Sequence, residues 1–307
     1  MLEERMNVHI LEMPLDFGAS RHGADMGPSA IRLAGLREKL EGLGHQIVRY
    51  DAPVNIRVQE NEKIGNPKAK YLEPIVQSCT ELAGYVKQAG QSGEFPLVLG
   101  GDHSVVLGSL AGMGAVAKEK GKKLGVLYVD AHGDFNTDQT TPTGNIHGEC
   151  MAASCGIGLS ELTNLYYEGM KVDPKNVCFV GSRDLDAGER KLMKDAGVTV
   201  FTMSDIERQG FAAIVKKVIV FFKSHVDMVH VSFDMDVLDP MFAPGTGVPV
   251  PAGLNTREAL LLMEEMSEIG MVCSADIVEV NPILDVRNQT AILAVALASR
   301  LLGEKLY

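Results

Sequence analysis

Three apolar runs, Phe95–Gly100, Leu124–Val129 and Met228–Phe233, each stop at a cluster of acidic and imidazole side chains. They lead into Gly101-Asp102-His103-Ser104, Asp130-Ala131-His132-Gly133-Asp134 and Asp234-Met235-Asp236. Short runs of this composition read as buried strands. A strand turns residues i, i+2 and i+4 to one side, so Asp130, His132 and Asp134 would face together, as would Asp234 and Asp236. Converging carboxylates and imidazoles would repel one another and lose solvation. Cations relieve both costs, and the six groups His103, Asp130, His132, Asp134, Asp234 and Asp236, with some shared, suffice for a pair of ions. Any one of these spacings alone is better explained by turn acids that cap the next helix. Clusters at the corresponding ends of three strands are not. Carboxylate and imidazole donors without thiolate suit Mn, Fe(II), Co or Zn better than Ca.

Apolar, β-branched runs alternate with helical patterns along all 307 residues. Strands are expected near 8–13, 46–50, 96–99, 125–129, 177–180, 198–202, 228–233 and 272–278. Helices are expected near 29–43, 73–88, 105–120, 187–196, 212–222, 257–269 and 289–302. This order predicts a three-layer α/β/α fold with a mostly parallel sheet of about eight strands. No linker or repeat divides the chain, so a single catalytic domain over 1–307 is expected. The polar stretch Ala52–Lys70 reads as a surface loop, and Gly133–Gly148 as a functional loop after a strand. Parallel sheets bind ligands at the carboxyl ends of their strands, which is where all three clusters fall.

A net charge of −11 argues against general affinity for nucleic acid or anionic membrane and accords with a cationic substrate. The chain shows no secretory n-region and no apolar run of transmembrane length. Five cysteines without a CxxC pair read as reduced thiols of a cytoplasmic protein.

The motifs also carry a specific resemblance. Gly100-Gly101-Asp102-His103-Ser104, Asp130-Ala131-His132-Gly133-Asp134-Phe135-Asn136-Thr137, Gly144-Asn145-Ile146-His147-Gly148, Ser232-Phe233-Asp234-Met235-Asp236 and Glu279-Val280-Asn281-Pro282 resemble the arginases of the ureohydrolase family. Met26-Gly27-Pro28-Ser29-Ala30 and Arg183-Asp184-Leu185-Asp186-Ala187-Gly188-Glu189 match as well, so the likeness spans nearly the whole chain and is nearest to bacterial arginases. It implies a manganese enzyme with two Mn²⁺ per chain, assembled as a homo-oligomer (trimer or hexamer), that converts L-arginine to L-ornithine and urea. Hydroxide held between the metals would attack the guanidinium carbon. On this resemblance His103, Asp130, Asp134 and Asp234 hold one ion. Asp130, His132, Asp234 and Asp236 hold the other, with Asp130 and Asp234 bridging. His147 becomes the proton shuttle, and Glu279 faces the guanidinium. Asn136, Thr143 and Asn145 bind the α-carboxylate, while Asp186 and Glu189 serve the α-amino group. Rival readings are a ureohydrolase acting on agmatine or guanidinobutyrate, and a metal-dependent amide hydrolase of the deacetylase kind.

The chain departs from the pattern at Thr143 in place of serine, Val237 in place of glycine and Val248 in place of a threonine near the guanidinium. Glu149 is expected to add negative charge near the mouth. Cys150 lies close enough to His147 in sequence to raise the alternative of a thiol nucleophile. His9, His22, His45, His225 and His230 read as structural or exposed. His230 and Ser232 share parity with Asp234, which allows them to support the metal ligands from behind.

Overall fold

The computed structural model describes residues 5–56 and 64–305. Its strands are β1 (Asn7–Met13), β2 (Gln46–Asp51), β3 (Gly65–Asn66), β4 (Ala69–Lys70), β5 (Phe95–Gly100), β6 (Leu124–Val129), β7 (Val177–Val180), β8 (Thr199–Phe201), β9 (Met228–Asp234) and β10 (Val272–Val278). The helices are α1 (Gly27–Leu33), α2 (Leu36–Gly42), α3 (Leu72–Gln91), α4 (Val106–Glu119), α5 (Cys150–Ser154), α6 (Ser160–Thr163), α7 (Ala187–Ala196), α8 (Met203–Gln209), α9 (Phe211–His225), α10 (Thr256–Glu268) and α11 (Gln289–Leu301). Eight strands form one sheet in the order β2-β1-β5-β10-β9-β6-β7-β8, and every pairing in it is parallel. The expected three-layer architecture is therefore observed.

Strand parity divides the core. Val229, Val231 and Phe233 of β9 and Ala275 and Ile277 of β10 enter one apolar cluster, where α9, α10 and α11 supply Val218, Leu262 and Leu297. The opposite face carries Leu11, Val98, Val126 and Tyr128 against Leu82 of α3 and Leu110 of α4. On β9 and β10 that second face is polar: His230, Ser232, Ser274 and Asp276 are all buried there. Burying such groups is costly unless each finds a partner. Their pairing is central to the site.

Two local expectations fail. The helical pattern over 29–43 is split into α1 and α2, because Gly35 adopts a left-handed φ of 89° that breaks the ladder between them. The stretch read as a surface loop ends in the antiparallel β3–β4 hairpin, with Gly65 opposite Lys70 and Asn66 opposite Ala69. Residues 57–63 of that stretch lie outside the described residues. The hairpin packs onto the long loop after β6: the Lys70 N–H donates to the Gly144 carbonyl at 2.9 Å, and Lys68 Nζ donates to the Thr141 carbonyl at 2.8 Å. Gly144, at φ 75°, lies so close that an added Cβ would sit 1.9 Å from the Pro67 carbonyl oxygen.

Candidate metal centre

The ends of β5, β10, β9 and β6 lie side by side, in that order, at the carboxyl edge of the sheet, and the chain after β6 and β9 curls into short turns capped by the acids themselves. Asp234 Oδ1 accepts the Asp236 N–H at 2.7 Å, and Asp130 Oδ1 accepts the His132 N–H at 2.7 Å. The β-strand parity of the sequence reading thus gives way to tight turns, but the side chains still converge. His103 Nδ1 lies 3.0 Å from Asp130 Oδ2, 3.2 Å from Asp134 Oδ2 and 3.1 Å from Asp234 Oδ2. His132 Nδ1 lies 3.1 Å from Asp236 Oδ2 and 3.4 Å from Asp130 Oδ1. Ligand atoms of His103, Asp130 and Asp134 form one compact group, and those of Asp130, His132 and Asp236 a second. Asp130 belongs to both, with one oxygen toward each. Asp234 joins the His103 side through Oδ2.

This donor set fits divalent cations. Among the described residues, His132 Nε2 is buried without a hydrogen-bond partner, and Asp130 Oδ2 shares the single His103 Nδ1 with Asp134 and Asp234. Burial and the neighbouring acids push Asp234 and Asp236 above the usual carboxylate range. Burial alone would strip the protons from His103 and His132, but the surrounding carboxylates drive both imidazoles well above their ordinary value. Without an ion the site would balance its charge with protons, and a cation replaces them. Asp134 and Glu279 adopt φ values of 48° and 64°. Left-handed backbone at non-glycine residues is strained and gathers at functional sites.

Above the cluster lies a cavity of about 280 Å³ lined by His132, Asp134, Asn136, Thr143, Asn145, His147, Asp186, Glu189, Val248 and Glu279, among others. Glu279 Oε1 accepts the His103 N–H at 2.9 Å and lies 3.3 Å from His147 Nδ1. Burial favours a neutral His147, but Glu279, helped by Asp134 and Asp102, outweighs it and holds the proton up to about 9. Asp186 and Glu189 form the capping box of α7, with Glu189 Oε2 accepting the Asp186 N–H. The two acids are also tied to the loop: Asn136 Nδ2 donates to Asp186 Oδ2 at 3.0 Å, and the Phe135 N–H donates to Glu189 Oε1 at 2.8 Å. Capping and cavity lining thus coexist. Asn136 Oδ1 remains buried and unpartnered. Thr143 Oγ1 accepts the Asn145 N–H at 3.1 Å, and Asn145 Oδ1 is reached by Lys70 Nζ at 3.3 Å.

The chain is similar in sequence and fold to known proteins. The model of the arginase family matches residues 6–303. The arginases of Bacillus caldovelox and Brevibacillus brevis are 45% and 46% identical to it, covering 97% and 98% of this chain and 99% of each relative. The crystal structure of arginase from Bacillus cereus superposes with a TM-score of 0.91 at 45% identity, covering 98% of this chain and 100% of that one. The chain belongs to the arginase family.

The structure corrects the expectation for Glu149 and bears on two others. Glu149 is buried rather than displayed at the mouth, and neither of its carboxylate oxygens has a hydrogen-bond partner among the described residues. Burial first, and Asp138 second, push its pKa up to about 8. Val248 lies at the cavity rim and is 42% exposed, so it is only partly turned to the interior. Cys150 is fully buried, 3.8 Å from Asp134 Oδ2, and burial drives its thiol well above the ordinary value, so no thiolate is available for attack.

Sequence reasoning missed two contributors. Tyr128 stacks flat on the His103 ring, 4.5 Å between centroids, and its hydroxyl donates to Asp134 Oδ2 at 2.7 Å. Its position two residues before Asp130 was the available signal. Arg183 donates to the carbonyls of Asp236, Val237 and Leu238, pinning the turn that presents Asp236.

Proposed function

We propose that this member of the arginase family is a manganese-dependent hydrolase that splits L-arginine into L-ornithine and urea. The observation that carries the reading is the pair of ligand groups sharing Asp130 beneath a cavity whose rim holds amides, a hydroxyl and acids. His103, Asp130, Asp134 and Asp234 would hold one Mn²⁺, and Asp130, His132, Asp234 and Asp236 the other. Bound there, the ions would lower the pKa of water and so supply hydroxide near neutral pH.

The chain's own groups do the rest. Glu279, anchored by the His103 N–H, offers a carboxylate to the cationic guanidinium and orients its carbon over the cluster. His147 keeps a proton through neutral pH and can deliver it to the departing amine. Asn136, Thr143 and Asn145 supply polar groups for an α-carboxylate, and Asp186 and Glu189 supply acceptors for an α-ammonium. Burial of the cavity floor limits competing water.

The whole chain acts as one catalytic domain in this reading, in a cytoplasmic homo-oligomer of trimer or hexamer size that light scattering would reveal. Among the described residues no helix is long and apolar enough to cross a membrane. Urea release from arginine, agmatine and guanidinobutyrate in the presence of Mn²⁺ tests the substrate. Arginine should be preferred strongly, by up to about 10⁴-fold, because agmatine leaves the carboxylate-binding groups unpaired. Comparable kcat/KM for arginine and agmatine would refute the assignment.

A further inference from the structure

Behind the metal cluster, away from the cavity, a chain of buried polar groups runs through the polar face of β9 and β10. His103 Nε2 lies 2.8 Å from Ser232 Oγ, and Ser232 Oγ donates to Asp276 Oδ1 at 2.5 Å. Asp276 Oδ2 lies 2.9 Å from His230 Nε2, and His230 Nδ1 lies 2.8 Å from Ser274 Oγ. Strand register creates this chain: His230 pairs with Ser274, and Ser232 with Asp276. All five side chains are 0–1% exposed.

Proton bookkeeping gives the chain a direction. Burial alone would raise the Asp276 pKa, but the His230 imidazole overrides it and holds the carboxyl below its ordinary value. An ionised carboxylate only accepts hydrogen bonds, and a serine hydroxyl has one proton to give. Ser232 spends that proton on Asp276, so toward His103 it can only accept. The His103 Nε2 must therefore carry hydrogen. In the neutral ring this leaves the lone pair on Nδ1, the atom that lies 3.0–3.2 Å from Asp130, Asp134 and Asp234.

We propose that Ser232, Asp276 and His230 are positioning residues that lock His103 in the Nε2–H tautomer, leaving Nδ1 to bind the metal ion on its side of the centre. This inference rests on the two-metal reading above. The same hydrogen bonds hold the ring in plane against Tyr128, which packs on its other constraint, the ring face. Among the described residues, His132 Nε2 is buried with no such partner, so the two ions would differ in how firmly their imidazole ligand is fixed. Loss of an outer hydrogen-bond partner of a metal-binding histidine lowers metal affinity about 10–100-fold.

The test is Mn²⁺ binding to chelator-stripped protein, followed by titration calorimetry and elemental analysis. Wild type, Ser232→Ala and Ser232→Thr are compared, with thermal unfolding of each stripped protein as the check on folding. Wild type should hold two ions. Ser232→Ala should bind one of them about 10–100-fold more weakly, and Ser232→Thr, which keeps the hydroxyl, should restore it. Two ions at wild-type affinity in Ser232→Ala would overturn the lock while leaving the two-metal reading intact. A wild type that never takes up two ions would overturn that reading and the lock with it. A second measurement needs no variant in the relay. Nitrogen-15 NMR of the zinc-loaded wild-type protein should show a slowly exchanging imidazole Nε2–H that disappears in His103→Gln. Its absence would overturn the proposal.

Discussion

At the scale of single residues, the centre depends on groups whose surroundings oppose their natural protonation. His147 is the clearest functional case. It binds no metal in the proposed scheme, and its ring is placed 3.3 Å from Glu279 at the cavity wall. His147→Ala should keep both ions and lose about 10²–10⁴-fold in kcat, measured by urea release alongside metal analysis. Turnover at the wild-type level across pH would remove His147 from the chemistry. Glu149 is a case of stability rather than catalysis. Its carboxyl has an ordinary pKa of 4.5 and is raised in the fold to about 8. Between those values the folded chain keeps a proton that the unfolded chain has released, so stability falls as pH rises through the window. Glu149→Gln removes the penalty. The variant should be more stable by about 1–3 kcal/mol at pH values above 8, and the gain should vanish near pH 4.5. Thermal unfolding at both ends of the window checks this, and a gain that grows toward acid would contradict it.

At the scale of elements, the apolar runs made the strands legible: 177–180 and 272–278 form strands with the expected bounds, and the clusters do sit at strand ends. The metal-ligand candidates were legible for the same reason, since each follows its run directly. What stayed hidden depends on adjacency that no linear pattern encodes. The link from Ser232 to Asp276 requires β10 to pair with β9, and the two are separated in sequence by α10. Gly35, read within one helix, breaks it because glycine enters the left-handed region at little cost. The hairpin β3–β4 was illegible because short polar strands carry no hydrophobic alternation. It matters because it clamps the loop bearing Thr143 and Asn145. Gly144→Ala should dislodge that clamp, since a Cβ would meet the Pro67 carbonyl and a φ of 75° disfavours alanine. The expected outcome is a rise in KM for arginine of about tenfold or more with metal content unchanged. An unaltered KM would mean that the hairpin does not set the loop.

At the scale of the whole molecule, the fold concentrates repulsion at one edge of the sheet, which bound cations would relieve in the proposed reading. Ions that bind the folded chain and not the unfolded one add about 2.7 kcal/mol of stability per site at a hundredfold excess over Kd. For a chain of this size about 1 kcal/mol moves Tm by roughly 2–4 °C, so chelation should lower Tm by several degrees and Mn²⁺ should restore it. The alternation of strands and helices, the acidic edge and the family match over residues 6–303 converge on one claim, that two metal ions make this chain an arginine hydrolase. The most direct test is urea release from L-arginine by chelator-stripped protein titrated with Mn²⁺ at protein concentrations well above the metal Kd. The account predicts no urea without metal and a plateau at two ions per chain. Urea formation that ignores chelation, or a plateau reached at one ion, would contradict it.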